Sequence, residues 1–188
     1  MTAPCELRTA RLLLRSHEDE DLPAIVRMAG VREIAATTLN IPHPYTMEDA
    51  RKFLAESRVD FSAGRAVSFA ICRLPRGELR GGAGLAISDA HQRAELGYWI
   101  AVPFWGIGYA TEAARAVVEY GFVKMGLHKI HAHVFAENTA SSRVLEKIGM
   151  RREGRLRDHF QKWNRFIDVD NFGMTAEEFP GSEPNRPR

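Results

Sequence analysis

The spacing of hydrophobic positions changes period along the chain, and the elements follow from it. Residues 11–15 set three leucines between two arginines, a short apolar run that predicts a strand. Over 18–29, Leu22, Ile25, Val26 and Met28 recur at near-helical spacing, and Pro23 fits only the start of such a helix. A second short helical piece is expected over 31–37, and Pro42 and Pro44 hold 38–45 as an extended loop. Thr46 followed by Asp49 resembles an N-cap, with Asp where Glu or Gln is usual, so a helix over 47–61 is predicted with Phe53 and Leu54 inward. Strands follow over 65–74 and 79–88, joined by the turn chemistry of Pro75-Arg76-Gly77-Glu78. Gly81, Gly82 and Gly84 mark a bulge or a close backbone approach. A further strand over 94–102 ends at Pro103.

The helix over 108–125 gives the strongest periodic signal. Ala110, Ala113, Ala114, Val117, Val118 and Phe122 share one face, and Glu112, Arg115 and Glu119 fall mostly on the other. A strand over 127–135 follows the Gly126 break. Asn138 then caps a helix in which Val144, Leu145 and Ile148 share a face, and Gly149 stops it. Segments 150–160 and 166–174 complete the sheet as a hairpin through Lys162-Trp163-Asn164. The order predicts an α/β chain with a mixed sheet of about seven strands and helices on both faces.

Composition changes this picture little. The 188 residues suit one domain, 1–179, with 180–188 a Pro-rich, polar and disordered tail. A formal charge of +2 gives no global reason to expect nucleic acid as partner. Cys5 and Cys72 form neither a metal spacing nor a disulfide framework, and the N-terminus has no apolar core like that of a signal peptide. No apolar run is long enough to span a bilayer. The expected setting is the cytoplasm, with no membrane partner. His131 and His133 share a strand face while His128 points the other way, which is not a clean ligand set, and no metal is expected. The basic residues Arg151, Arg152, Arg155, Arg157, Lys162 and Arg165 read first as a solvated hairpin face; RNA is not the expected partner.

One loop carries chemistry. Trp105-Gly106-Ile107-Gly108-Tyr109-Ala110 joins a strand to a helix. Its glycines allow positive φ and close approach, and the N–H groups of the helix start, with the positive end of the dipole, suit phosphate. It is neither a Walker loop nor a full dinucleotide fingerprint.

Three further stretches make the pattern specific. Glu95-Leu96-Gly97-Tyr98-Trp99-Ile100 precedes the loop, Glu137-Asn138-Thr139-Ala140-Ser141 follows it, and Val144-Leu145-Glu146-Lys147-Ile148-Gly149-Met150 closes the next helix. Together with Thr9-Ala10-Arg11-Leu12-Leu13-Leu14-Arg15 and Pro44-Tyr45-Thr46, the chain resembles the GNAT acyltransferases over residues 8–179. It looks most like the branch that includes ribosomal-protein N-terminal (alanine/serine) acetyltransferases. The resemblance implies acetyl-CoA as donor, a primary amine as acceptor, and a splayed pair of central strands with the pantetheine arm between them. Carried over by position, backbone groups of Ile100, Ala101 and Val102 would hold the pantetheine. The amides of Gly106, Ile107, Gly108, Tyr109, Ala110 and Thr111 would hold the pyrophosphate, and Asn138 would bond the pantetheine arm. Trp105 stands where many members have Arg or Gln. Leu145 stands where many have a catalytic Tyr, so the expectation is that no phenol serves as acid and that Ser141 is the nearest substitute.

The amine must lose a proton before it attacks a thioester, and Glu95, directly or through a water, is the candidate base. Ser141 is the candidate acid or a group that only positions CoA. Neither cysteine lies in the motif region, which implies direct transfer in a ternary complex. His43, Tyr45, Tyr98, His159 and Phe160 are the candidates for the acceptor side. The acceptor could be a protein N-terminus or a small amine. The opposing reading is a non-catalytic CoA- or RNA-binding module. No residue chooses between monomer and homodimer.

Overall fold

Alternation along one strand places the helices. In β3 (Ala66–Arg73), Val67, Phe69 and Ile71 enter the main core, while Ala70 and Cys72 face a second cluster. The main core holds Ala113, Ala114, Val117 and Val118 of α4 (Tyr109–Glu119) and Leu145 of α5 (Thr139–Lys147). The second holds Ile25 and Ala29 of α1 (Leu22–Ala29), which in turn packs on α3 (Met47–Ser62). Helices therefore cover both faces, as the periodicity predicts. The short α2 (Arg32–Thr37) lies between α1 and α3 in sequence.

The computed structural model describes residues 6–181; residues 182–188 of the expected tail, and Cys5, lie outside it. The remaining strands are β1 (Leu7–Arg8), β2 (Leu12–Arg15), β4 (Glu78–Ser88), β5 (Arg93–Ile100), β6 (Lys129–Phe135), β7 (Arg151–Lys162) and β8 (Arg165–Thr175). They form an eight-stranded sheet in the order β1-β2-β3-β4-β5-β6-β8-β7. The strand beyond the expected seven is β1, two residues paired to β2 and too short to leave a periodic signal.

Local chemistry explains the boundaries. Thr46 and Asp49 bond reciprocally in a capping box at the start of α3. Trp163 and Asn164 both take positive φ and close the β7–β8 hairpin. The predicted helix 108–125 is regular α only to Glu119; from Tyr120 to Lys124 it widens into a π turn, with the Met125 N–H on the Tyr120 carbonyl. There Gly121 lies so close to the sheet that a Cβ would meet the Ile130 side chain at 2.7 Å. The glycine run of β4 marks both expected features. The β3–β4 register slips between Ile71 and Cys72, leaving Arg80 as the extra residue, and a Cβ on Gly81 would lie 2.1 Å from the Trp99 carbonyl oxygen.

The cleft arises from strand pairing. β5 and β6 pair in parallel only through Arg93↔Lys129, Ala94↔Ile130 and Glu95↔His131. Beyond that, β5 follows β4 to Ile100 and β6 follows β8 to Phe135. The two central strands part immediately after Glu95, giving the expected splay.

Most of the basic hairpin is already paired. Arg152 and Arg155 both bond Asp170, which they hold well below the usual carboxylate range against the opposing effect of burial. Arg151 pairs with Glu178 and Arg165 with Glu137. Lys162 donates to the carbonyls of Thr38, Leu39 and Ile41, tying the hairpin to the loop before α3. Among the described residues, no helix is long and apolar enough to cross a membrane.

Candidate active site

The donor half is built mostly from backbone. Gly106 and Gly108 take φ of 76° and 93°, and Gly108 is the N-cap of α4 without a side-chain cap. The first amides of α4, those of Tyr109, Ala110 and Thr111, precede the first intrahelical bond, which Glu112 N–H makes to the Gly108 carbonyl at 3.1 Å. These N–H groups have no intrahelical partner. Arg11 braces the loop from β2's approach: its guanidinium donates to the Ile107 carbonyl, packs over the Tyr109 ring and pairs with Glu112. Glu112, expected on the outer face, is instead clasped by Thr9 and Arg11. Burial works against its charge, but these hydrogen bonds hold its carboxyl below the ordinary range.

The end of β5 narrows one expectation. The Ala101 N–H donates to the Arg80 carbonyl at 2.8 Å, so Ala101 has no donor left for pantetheine. Strand alternation then turns the Ile100 N–H toward the cleft. Consistently, the Ile100 carbonyl accepts from the Trp105 indole at 2.5 Å. Trp105 therefore braces the loop, and Ile100 and Val102 remain as candidate pantetheine donors. Asn138 Oδ1 accepts from the Ser141 N–H as the helix cap, which leaves its amide NH₂ for the arm.

A cavity of about 370 Å³ runs along these residues. It is lined by Ile100, Trp105, Gly106, Gly108, Tyr109, Ala110, Thr111 and Asn138, all expected on the donor side, and also by Arg143 and Lys147 of α5. The two cations were missed by sequence reasoning. Their spacing of four residues on one helix was the available signal. Orphan amides, positive-φ glycines and two cations fit a pyrophosphate-bearing donor.

A second cavity, about 660 Å³, opens on the other side of the splay. It holds Glu95, His133, Tyr45, Phe53 and Phe160, together with Ile25, Leu39 and Ile41. Of the expected acceptor residues, Tyr45, Tyr98 and Phe160 line it. His43 instead bonds the Gly30 carbonyl, and His159 is exposed on β7. Thr37, Thr38, Tyr98, Trp99, Asn138 and Ser141 line both cavities, so the two meet there.

At that junction a phenol lies beside the candidate acid. Leu145 is fully buried and serves packing, but Tyr98 reaches the site from β5, its hydroxyl 2.8 Å from Ser141 Oγ. Burial pushes the Tyr98 phenol up to about 12, partly opposed by the bond to Ser141. Tyr98 and Ser141 form a hydrogen-bonded hydroxyl pair where the two cavities meet. Position alone did not reveal this, because the phenol comes from a different element.

Glu95 lies on the acceptor side, at the last paired residue before the splay. Its Oε1 is 3.0 Å from His133 Nδ1. One ligand-capable atom each of Glu95, His131 and His133 falls within a 4.8 Å cluster, so this trio could hold a cation; the direct Glu95–His133 bond instead uses two of these atoms on each other. Burial lowers the His131 pKa, partly opposed by the nearby Glu95 carboxylate. The β5–β6 register brings these groups together, and spacing alone did not show it. Cys72 is buried, and burial raises its thiol pKa, so among the described residues no reactive cysteine faces the site.

A family model described as Acetyltransferase (GNAT) domain matches residues 11–151. The uncharacterized N-acetyltransferase p20 of Bacillus licheniformis is 33% identical over 177 residues, 93% of this chain and 98% of that protein. RimJ of Mycobacterium smegmatis, solved in complex with CoA-disulfide, superposes with a TM-score of 0.82 at 26% identity, covering 95% of this chain and 89% of that one. The spermidine N-acetyltransferase of Vibrio cholerae, in complex with CoA and spermine, gives 0.79 at 25% identity, covering 90% and 98%. The chain belongs to the GNAT acetyltransferase family. It is an N-acetyltransferase with acetyl-CoA as donor.

Proposed function

We propose that the chain acetylates the N-terminal α-amino group of a peptide or protein by direct transfer in a ternary complex. The meeting of the two cavities at Tyr98, Asn138 and Ser141, with Glu95 on the acceptor side, carries this reading. The donor half aligns the thioester through backbone donors. Glu95, directly or through an intervening group, takes up the amine's proton. We assign the Ile100 N–H to the developing oxyanion, leaving Val102 as the pantetheine donor, and the Tyr98–Ser141 pair delivers a proton to the leaving sulfur.

Asp49, Glu56 and Glu95 all line the acceptor cavity, beside Lys52. Asp49 is taken up in the capping box with Thr46, and Glu56 lies 3.8 Å from Lys52. Glu95 lies 3.0 Å from His133 on the acceptor side, and the walls also include the apolar and aromatic Ile25, Leu39, Ile41, Phe53 and Phe160. An extended chain behind its terminal ammonium matches the apolar and aromatic walls, while the three carboxylates also suit a polycation. The spermidine-acetylating relative keeps a small polyamine as the second reading.

The test is thiol release from acetyl-CoA against a panel of N-terminal peptides and small amines, with mass detection of the product. Acetylated peptide is the expected product. Acetylated spermidine with unmodified peptides would select the second reading.

A further inference from the structure

The Glu95–His133 contact raises the question of which atom accepts the proton. Glu95 Oε1 and His133 Nδ1 are 3.0 Å apart, and both side chains line the acceptor cavity. The Glu95 side chain is 44% exposed and that of His133 22%. The His133 ring is held on three further sides: edge-on to His131 at 5.5 Å between ring centroids, near His159 at 5.8 Å and edge-on to Phe160 at 6.0 Å. An ionised carboxylate accepts only, so Nδ1 must be the protonated nitrogen when the contact is a hydrogen bond. A neutral ring then carries its lone pair on Nε2. This is the arrangement in which a carboxylate fixes the tautomer of a general base.

Resting on the acetyltransferase reading above, we propose that His133 Nε2 takes the proton of the acceptor amine and that Glu95 is its positioning carboxylate. The N–H bond of the ammonium breaks, its electron pair stays on nitrogen, and the proton forms the new Nε2–H bond. The resulting imidazolium is balanced by Glu95, its ion-pair partner. The freed pair attacks the thioester carbon; the C–S bond breaks with its electrons on sulfur, which takes a proton from the Tyr98–Ser141 pair. The amide nitrogen loses its second surplus proton to restore that pair, and the imidazolium returns its own to solvent.

The tautomer is read directly from the ¹⁵N shifts of the His133 ring, assigned by comparison with His133→Gln. A protonated Nδ1 with a bare Nε2 is expected; an Nε2–H tautomer overturns the proposal. Turnover is then measured with the best acceptor of the panel for His133→Ala, His133→Gln and Glu95→Gln. Both His133 variants should lose about 100-fold or more in kcat, with the acetyl-CoA KM unchanged. Added imidazole should recover part of the loss in His133→Ala and none in His133→Gln, whose side chain fills the site. If the His133 variants turn over normally while Glu95→Gln is inactive, or if they are slow without rescue, His133 is not the base and the function proposed above stands. If Glu95→Gln also turns over normally, the acceptor-side chemistry of that proposal falls with it.

Discussion

The donor and acceptor halves of the cleft are made by different means. The donor half spans 105–111 and the start of α4, and it relies mainly on main-chain amides aimed by two positive-φ glycines, with Arg143 and Lys147 of α5 beside them. The acceptor half uses side chains brought together across β5, β6 and α5: Glu95, His133, Tyr98 and Ser141. A backbone site tolerates varied side chains, provided the glycines remain. A side-chain site changes its chemistry with one substitution. The contrast explains how one fold can keep its donor while its acceptor changes.

The sharpest way to break this contrast is Glu95→Gln, which should lower kcat by about 100-fold or more and leave acetyl-CoA affinity alone. Gly108→Val should do the reverse. At φ 93° a branched residue is strained by ~1–2 kcal/mol, so acetyl-CoA should bind about tenfold more weakly, with kcat at saturation largely kept. Ser141→Ala tests the junction. It should slow kcat about tenfold, below the ~10²–10⁴-fold of a full general acid, because a thiolate already leaves readily. Arg11→Ala removes an ion pair and a brace on the loop. Its partial exposure limits the loss to a few-fold in acetyl-CoA affinity, measured by titration.

The smallest effect at neutral pH concerns the acceptor wall. His17 is buried against Phe53, and burial pushes its pKa from the ordinary 6.5 down to about 4. Between those values the unfolded chain takes up a proton that the folded chain does not, so stability falls as pH drops from 6.5 toward 4. Thermal melts across that window should show the slope, and His17→Leu should flatten it.

The same division governs what the sequence could reveal. Gly106, Gly108, Asn138 and the helix that follows each were legible because their meaning is local: a turn, a cap, a periodic face. The two-sided sheet was legible from alternation, since Phe69 and Ala70 need opposite neighbours. That the Ala101 N–H is taken by the Arg80 carbonyl was not legible, because that partner depends on a bulge in β4. Tyr98 and His133 gained their roles only through register. Neither the meeting of Tyr98 with Ser141 nor that of His133 with Glu95 follows from spacing along one element.

The most direct measurement is made on Glu95→Gln: acetyl-CoA affinity by equilibrium titration beside kcat for the same preparation. Affinity within about twofold of the parent with kcat lowered about 100-fold is the predicted result. Equal losses in both, or an unchanged kcat, would contradict a cleft whose backbone half binds the donor and whose side-chain half carries the chemistry.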